Sequence, residues 1–358
     1  MSLRLLLLVL WSVAPGVMSL AADNCIELTD LPPFVLADAR PYIQLRDGRL
    51  AAGERAYKVR GINYYPARTP WRRFLLESTL PDLRWEMQLI RAAGFNSLRI
   101  FLWNGALFPC HDAPERPSPA AFERLDQMMR LAAELDFRLI VTLNDMPDLT
   151  MNPLYTNPSS VQEQTRIIVS RYAEAPAILA WDLRNEGDID YGSRNIFQRR
   201  FPRVQVLAWL RETAELLRSI DKNHLLTAGW LNEAHSTAPA VDFVSFHHWS
   251  SAEDLQRRIR ALRLSTAKPI LLGELGYSTF DGLSPEAQAQ ALSSGISASE
   301  KADLLGWMIW TAFDFPRTAT CYPSPCESPD NSEHHFGIWD SDYRPKPALD
   351  AIGDFLEQ

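Results

Sequence analysis

Two glutamates each end a short apolar run, and they are the residues best placed to do chemistry. Glu186 ends the run ILAWDLRNE that begins at Ile178, and Glu274 ends the run KPILLGE that begins at Lys268. A carboxylate within a buried strand is costly because it leaves water, whereas at the end of a strand it can face a pocket. Two such glutamates on one sheet could meet as an acid and a nucleophile, the pair that retaining glycoside hydrolysis requires.

Short apolar runs alternate with amphipathic stretches along the chain, which is the pattern of repeated βα units. The predicted strands are Tyr57–Asn63, Asn96–Leu102, Arg138–Leu143, Ile178–Arg184, Leu225–Gly229, Phe243–His247, Ile270–Gly273 and Gly306–Thr311. The predicted helices are Pro81–Ala93, Pro119–Leu135 after the N-cap Ser118, the apolar stripe from Val204 to Ile220, and Pro345–Leu356. The connection Asn232–Ala240 is too short and too polar for a full helix, so the fifth βα unit should be abbreviated.

Eight strands with intervening helices and no break in composition predict an α/β protein with a single (β/α)8 TIM-barrel domain over residues 23–358. The segment from Asp23 to about Ala56 should lead into the barrel and cap its lower end. A doubly wound open sheet is the alternative fold, but no Gly-x-Gly-x-x-Gly or phosphate-loop pattern follows any predicted strand.

In such a barrel the site lies at the carboxyl ends of the strands, and the residues there are polar, acidic and aromatic. Flat aromatic faces suit sugar rings, and amides, imidazole and carboxylates suit hydroxyl groups. The candidates besides the two glutamates are Asn63, Tyr64, Arg99, Trp103, Asn104, Asn144, Asp145, Asn185, Trp230, His247, Tyr277 and Trp310.

The run from Trp181 to Glu186, together with Leu271–Glu274 and Gly61–Asn63, resembles clan A glycoside hydrolases. More narrowly it is similar to glycoside hydrolase family 5, the cellulase and β-mannanase family, over residues 60–351. The resemblance implies that Glu186 is the general acid/base, that Glu274 is the nucleophile, and that Asn185 holds the sugar 2-hydroxyl.

The same resemblance assigns supporting roles to residues on other strands. Arg99 should lie beside Glu274 and keep it ionised, while a less polar setting and the neighbouring charge keep Glu186 protonated. His247 matches the histidine of strand six, and Trp310 matches the aromatic platform under the sugar.

Two positions depart from the family pattern. Trp249 stands where a tyrosine usually bonds the nucleophile, so Tyr277 is the candidate substitute. No histidine ends strand three, where Asn144 and Asp145 stand instead. Glu233, in a second Asn-Glu pair, is a rival candidate for the acid. Only one predicted strand lies between Glu233 and Glu274, whereas two lie between Glu186 and Glu274, as expected for glutamates on strands four and seven.

The first 22 residues predict a secretory signal, with Arg4 before the apolar run Leu5–Val13 and a small-residue cleavage site at Ser19–Ala22. An uncleaved membrane anchor is the alternative. If the signal is cleaved, the mature chain should be secreted or periplasmic and free of the membrane. The net charge of −8 argues against nucleic acid as a partner.

Four cysteines in an exported chain favour disulfides over a metal site. Three pairings are possible. Cys321 and Cys326 flank a turn-rich segment and could close a small loop, which would leave Cys25 with Cys110. The short spacing also resembles half a metal site, but no second cluster of sulfur or imidazole complements it.

The sequence therefore predicts a secreted, monomeric retaining β-glycosidase that hydrolyses a β-1,4-linked oligo- or polysaccharide such as mannan or glucan and needs neither metal nor organic cofactor. The preference for mannan comes from the family resemblance. A transglycosylase that remodels exported polysaccharide and a non-catalytic carbohydrate-binding barrel are the alternatives.

Overall fold

The computed structural model describes residues 25–110, 112–145, 153–192 and 201–357. The predicted signal peptide lies outside these residues. In chain order the strands are β1 (Ile43–Arg46), β2 (Arg49–Ala52), β3 (Arg55–Tyr57), β4 (Val59–Asn63), β5 (Ser97–Phe101), β6 (Arg138–Thr142), β7 (Ile178–Asp182), β8 (Leu225–Thr227), β9 (Gly229–Trp230), β10 (Val244–His248), β11 (Ile270–Leu275) and β12 (Gly306–Ile309).

Parallel pairing runs without a gap from β8 through β7, β6, β5, β4, β12, β11 and β10 to β9. Only Ala228 separates β8 from β9, so these two segments form one interrupted strand that closes the ring. The barrel therefore has eight strand positions, and the predicted (β/α)8 fold is confirmed.

Helices follow the barrel strands and cover them. They are α1 (Arg73–Glu77), α2 (Leu80–Ala92), α3 (Asn104–Leu107), α4 (Pro119–Glu134), α5 (Ser159–Tyr172), α6 (Ile189–Gly192), α7 (Arg203–Ile220), α8 (Ala252–Ser265), α9 (Pro285–Lys301) and α10 (Pro347–Leu356). Capping fixes several starts, since the hydroxyls of Thr79, Ser118 and Ser284 accept the backbone N–H three residues on. Within 232–240 there is only one 3-10 turn, Ala234–Thr237, which confirms the abbreviated fifth unit.

The lead-in segment closes the lower end of the barrel, as predicted. Strands β1, β2 and β3 form an antiparallel sheet, and Ile43 and Leu50 from it pack against Val59, Leu179 and Leu271 on barrel strands. The lower end is thus filled with apolar side chains, which leaves the upper end for chemistry.

The four cysteines form disulfides, as expected, and of the three possible pairings the structure has Cys25 joined to Cys110 and Cys321 joined to Cys326. The first ties the start of the described chain to the loop after β5. The second closes a short loop after β12. No helix in the described ranges is both long and apolar enough to span a bilayer.

Candidate active site

Glu186 lies four residues beyond the end of β7, in a loop that neighbouring strands hold in place. Its backbone N–H donates to Gly229 O at 2.7 Å, and the N–H of Asn185 donates to Asn144 O at 2.9 Å. The backbone of Glu186 has φ +50°, a left-handed conformation that is uncommon for residues other than glycine. The surrounding hydrogen bonds maintain this conformation and turn the side chain into the mouth of the barrel.

Glu274 lies within β11, one residue before its end, and not beyond the strand as predicted. Its side chain is 4% exposed and forms an ion pair with Arg99. The same guanidinium donates from Nε and Nη2 to Asp182 at 2.9 and 2.6 Å. Arg99 is therefore shared between two buried carboxylates, so its charge is only partly available to Glu274.

His247 joins the two glutamates. Its Nδ1 lies 2.8 Å from Glu186 Oε1 and 3.5 Å from Glu274 Oε2. One oxygen of each carboxylate and a ring nitrogen all lie within 4.8 Å of one another. The buried Nε2 has no hydrogen-bond partner among the described residues, so Nδ1 is the ring nitrogen that bonds Glu186.

The pKa values of the pair are ordered opposite to the expectation. Burial raises the pKa of Glu274 to about 7, because His247 and the shared Arg99 only partly offset the loss of water. Burial also acts on Glu186, but the hydrogen bond and charge of His247, with further help from Arg99 and Arg184, bring its pKa below the ordinary value. Without substrate, burial thus disfavours the charged form of Glu274, whereas His247 favours the charged form of Glu186.

A cleft of about 400 Å³ lies above the carboxylates. Six of the predicted residues line it: Trp103, Asp145, Asn185, Glu186, Glu274 and Trp310. Trp249, at the position where the family usually has tyrosine, also lines it, with its ring packed over Gly276, and it is 37% exposed. Asparagine, glutamates and three indoles thus share one surface that suits a sugar ring.

Trp230 does not face this cleft, so the expectation that it stacks on substrate is wrong. The side chain is fully buried and packs against Tyr191 at 6.0 Å between ring centroids. Its indole nitrogen lies close to Gly187, where a Cβ atom would approach it to 3.0 Å. The ring belongs to the apolar layer between barrel and helices.

Asn144 and Tyr277 were also predicted to bind substrate, and the structure gives each of them a different contact. Asn144 is buried and its Nδ2 donates to Leu183 O at 3.0 Å, which positions the loop that carries Glu186. The hydroxyl of Tyr277 donates to Ser250 O at 2.6 Å. Tyr277 therefore does not replace the missing tyrosine beside the nucleophile.

A chain of hydrogen bonds fixes Asn185 between the cleft wall and Arg99. The Trp103 indole donates to Tyr65, and the Tyr65 hydroxyl donates to Asp145 at 2.6 Å. Asn185 donates to the other oxygen of Asp145 at 3.0 Å and accepts from Arg99 at 2.9 Å. Asp145 lies just after the third barrel strand, β6, where the family usually has a histidine and this chain has none. Its hydrogen bond holds the side chain of Asn185 in place.

Glu233, the rival acid, does not line the cleft. Its carboxylate accepts from the Tyr191 hydroxyl at 3.0 Å and from Arg203 Nε at 2.8 Å. These contacts give Glu233 a structural role, and of the two candidate acids only Glu186 lines the cleft.

Sequence reasoning missed several residues of the cleft: Pro70, Trp71, Arg72, Arg73, Ala319, Thr320, Tyr322 and Glu333. They belong to the loops after β4 and β12, in which no periodic pattern indicates a direction. The Trp310 indole donates to Glu333, and burial raises the pKa of Glu333.

The side chains of Glu186, His247 and Glu274 each offer an atom that could serve as a metal ligand. The expectation that the protein needs no metal therefore stays a prediction.

Comparisons with known proteins show which family the chain is similar to. Residues 159–259 match a family model described as GH family 5 beta-mannosidase-like. Mannan endo-1,4-beta-mannosidase A of Podospora anserina is 27% identical over 205 residues, which are 45% of this chain and 52% of that protein. Mannan endo-1,4-beta-mannosidase 1 of Arabidopsis thaliana is 28% identical over 165 residues, 38% of each chain. The chain thus spans about half, or less, of the length of these curated relatives.

Among solved structures, the GH5_18 protein of Streptomyces cattleya in complex with Manβ1-4GlcNAc superposes with a TM-score of 0.71 at 20% identity, covering 84% of this chain and 80% of that one. The barrel therefore shares its fold with this glycoside hydrolase structure. The family-model match, the curated relatives and the superposition all show similarity to glycoside hydrolase family 5.

Proposed function

We propose that this protein is an exported retaining β-glycosidase that hydrolyses β-1,4-linked, mannan-type glycans. The observation that carries the proposal is the spacing of Glu186 and Glu274, whose nearest ligand oxygens lie within 4.8 Å of each other and of His247. Retaining enzymes hold their two carboxyl groups about 5–5.5 Å apart, whereas inverting enzymes leave about 6.5–9.5 Å for a water molecule.

The reaction proceeds in two displacements. Glu274 attacks the anomeric carbon and forms a glycosyl ester while Glu186 transfers its proton to the leaving oxygen. Glu186 then removes a proton from water, whose oxygen attacks the anomeric carbon and releases Glu274. Both carboxyl groups return to their starting protonation states, and the net change is hydrolysis of one glycosidic bond with retention.

The first step needs a protonated Glu186 and an ionised Glu274, which is the reverse of the directions in which their pKa values are shifted without substrate. The Glu186 side chain is 17% exposed, whereas that of Glu274 is 4% exposed, so a bound sugar removes more water from Glu186. Loss of water raises a carboxyl pKa. Binding therefore favours the protonated acid, and the ion pair with Arg99 then stabilises the nucleophile as a carboxylate.

The neighbouring side chains suit this cycle. Asn185, fixed by Arg99 and Asp145, presents its amide beside the acid, where it can bond the sugar 2-hydroxyl. Trp310 is held next to Glu274 because its backbone N–H donates to Leu275 O at 3.0 Å. Its indole supplies an aromatic face for the apolar side of the sugar.

Substrate class and location rest on other observations. The curated relatives are named as mannan endo-1,4-beta-mannosidases, which favours mannan over glucan. Two disulfides suit an oxidising compartment, in agreement with the predicted signal peptide and with a secreted or periplasmic protein. The proposed protein acts as a monomer on oligo- or polysaccharide without a cofactor.

The decisive experiment measures the hydrolysis of mannan, glucan and xylan by the purified mature protein. Mannan should be cleaved, and NMR of the first product should show the β anomer. Glu186→Gln should lower kcat by about 10²–10⁴-fold, the usual contribution of general acid–base catalysis. Glu274→Gln should remove turnover because no glycosyl ester can form. Glu233→Gln, the matched control in the second Asn-Glu pair, should leave the rate unchanged.

Chemical rescue separates the two roles. With an aryl glycoside, azide should restore turnover of Glu186→Ala and give a β-glycosyl azide, because azide attacks the glycosyl ester without needing a base. An α-anomeric first product would contradict retention. Mannan binding without turnover would indicate a binding barrel, and longer products upon addition of an acceptor sugar would indicate a transglycosylase.

A further inference from the structure

The loops after the first and last barrel strands meet across one end of the cleft. Because β4 and β12 pair in parallel, these loops rise side by side at the upper end of the barrel. Arg73 Nη1 donates to Thr318 O and Ala319 O at 3.1 and 2.8 Å, which joins the two loops. We call Trp71, Arg72, Ala319, Thr320 and Tyr322, all of which line the cleft, the end wall.

The end wall is closed by side chains as well as by backbone contacts. The guanidinium carbon of Arg72 lies 4.0 Å from the centre of the Tyr322 ring, a distance typical of cation–π attraction. The centroids of the Trp71 and Phe315 rings lie 5.9 Å apart. The two loops therefore cover one another instead of leaving a groove between them.

Local bonds keep the end wall in place. The disulfide between Cys321 and Cys326 closes the loop that carries Tyr322. The Thr320 hydroxyl bonds His334 Nε2 at 2.8 Å, and His334 is almost fully buried. Movement of the wall would break these contacts together, so the cleft is closed on this side before substrate arrives.

The proposed reaction fixes which part of a glycan meets the end wall. The leaving sugar lies beside Glu186, which protonates its oxygen, and the attacked sugar lies beside Glu274. Trp310, directly after β12, borders the position of the attacked sugar. A further sugar on the non-reducing side must extend away from Glu186, towards β12 and β4, where the end wall stands.

Glu333 supplies a polar group on the same side. It follows the end-wall loop, lines the cleft and accepts a hydrogen bond from the Trp310 indole. The N–H of Glu333 donates to the side chain of Asn331 at 2.9 Å, which fixes its backbone. A carboxylate can accept more than one hydrogen bond, so it can bind free hydroxyls of a terminal sugar. An internal sugar has one such hydroxyl fewer, because its oxygen is in the linkage.

From these contacts we infer that the protein is exo-acting: it removes the single non-reducing terminal sugar of a β-1,4-linked oligosaccharide, with the end wall excluding a second sugar and Glu333 binding the terminal hydroxyls. The inference rests on the proposed retaining β-glycosidase function. An endo-acting enzyme needs a cleft that lets the glycan pass in both directions from the carboxylates, and this cleft has a closed end.

The test uses β-1,4-mannopentaose labelled at its reducing end, and the same compound blocked at the non-reducing 4-hydroxyl by a methyl group. Exo action should release mannose from the first turnovers and shorten the labelled chain by one unit at a time. The blocked compound should react at least about 100-fold more slowly. Labelled dimer or trimer as the first product, or equal rates for the two compounds, would overturn the inference while leaving the glycosidase function intact.

Variants show whether the named residues carry this selectivity. Arg72→Ala and Tyr322→Ala should raise the rate on the blocked compound about tenfold or more relative to the unblocked one, because they open the end wall. Arg257→Ala, which changes another exposed arginine, on α8 and away from the cleft lining, should not change that ratio. Glu333→Gln should raise KM for the unblocked compound more than it lowers kcat. Unchanged ratios in both wall variants would overturn the role of the wall, and failure to cleave either compound would instead refute the glycosidase itself.

Discussion

Gly229 lies directly beneath the catalytic side chains, and replacing it by alanine is the sharpest test of their positioning. Its N–H donates to Asp182 Oδ1 at 3.0 Å, and its carbonyl accepts from the N–H of Glu186 at 2.7 Å. A Cβ atom added here would lie 2.5 Å from His247 Nε2 and 3.0 Å from Arg99 Nη2. Both neighbours are buried, so neither can swing into solvent.

The size of the effect follows from these distances. To reach an ordinary contact of 3.4 Å from the new methyl group, the imidazole must retreat by about 0.9 Å. That movement disturbs the 2.8 Å contact between His247 and Glu186. Because a misplacement of about 1 Å in a catalytic constellation can cost about 100-fold in rate, we expect Gly229→Ala to lower kcat/KM by about two orders of magnitude. Overpacking should lower the free energy of unfolding by about 1–3 kcal/mol.

The assay combines steady-state kinetics on a mannooligosaccharide with urea unfolding of the same preparation. A loss of 1–3 kcal/mol leaves a barrel of ordinary stability folded, so the two effects can be separated. Gly105→Ala is the matched control, because a Cβ atom there meets nothing within 4 Å. A folded Gly229→Ala variant with kcat/KM within threefold of the parent protein would refute the role given to His247.

Three further predictions follow from the charges and cross-links. The pKa of Glu274 is raised to about 7, and above this pH the pair of Glu186 and Glu274 has lost its last proton. Because the reaction needs one proton on the pair, kcat/KM should fall above about pH 7. A rate that is constant to pH 9 would contradict this. Glu186→Gln should abolish that fall on an activated aryl glycoside. Burial raises the pKa of Glu86 from 4.5 to about 7, so the folded state favours the neutral acid and loses stability as the pH rises between these values. Glu86→Gln lacks this titration, so its free energy of unfolding in urea, compared with that of the parent, should rise by up to about 3 kcal/mol from pH 5 to pH 8. An equal pH dependence of both proteins would show the reasoning to be wrong. Replacing Cys25 and Cys110 by serine removes a cross-link between residues 85 positions apart, which by chain entropy should lower the free energy of unfolding by about 4–5 kcal/mol; an unchanged urea midpoint would exclude this.

The fold was readable from sequence because each βα unit carries its own signal. Apolar runs of five or six residues fill both faces of a parallel strand, and capping hydroxyls such as those of Ser118 and Thr79 mark the helix starts. The order of the units along the chain then determines neighbours in the ring. Strand β11 still runs past the predicted end, through Glu274, because pairing with β10 and β12 continues there.

The supporting residues were harder to place because their direction depends on the tertiary structure. Trp230 follows the break at Ala228, and its ring enters the apolar layer behind Gly187 instead of the cleft. Tyr277 bonds Ser250 and not the nucleophile. Strand alternation predicts the face of a regular strand, but it gives no direction for a side chain at a break or in a loop.

Sequence alone determined the barrel and placed two glutamates at the ends of apolar runs, since these features depend on local patterns along one chain, whereas it left three cysteine pairings possible. The tertiary structure decided that Arg99 is divided between Asp182 and Glu274, that burial raises the pKa of Glu274, and that Arg73 joins the loops after β4 and β12. These properties depend on distances between atoms far apart in sequence. Coulomb interactions and the loss of water act through such distances, and no spacing within the chain records them.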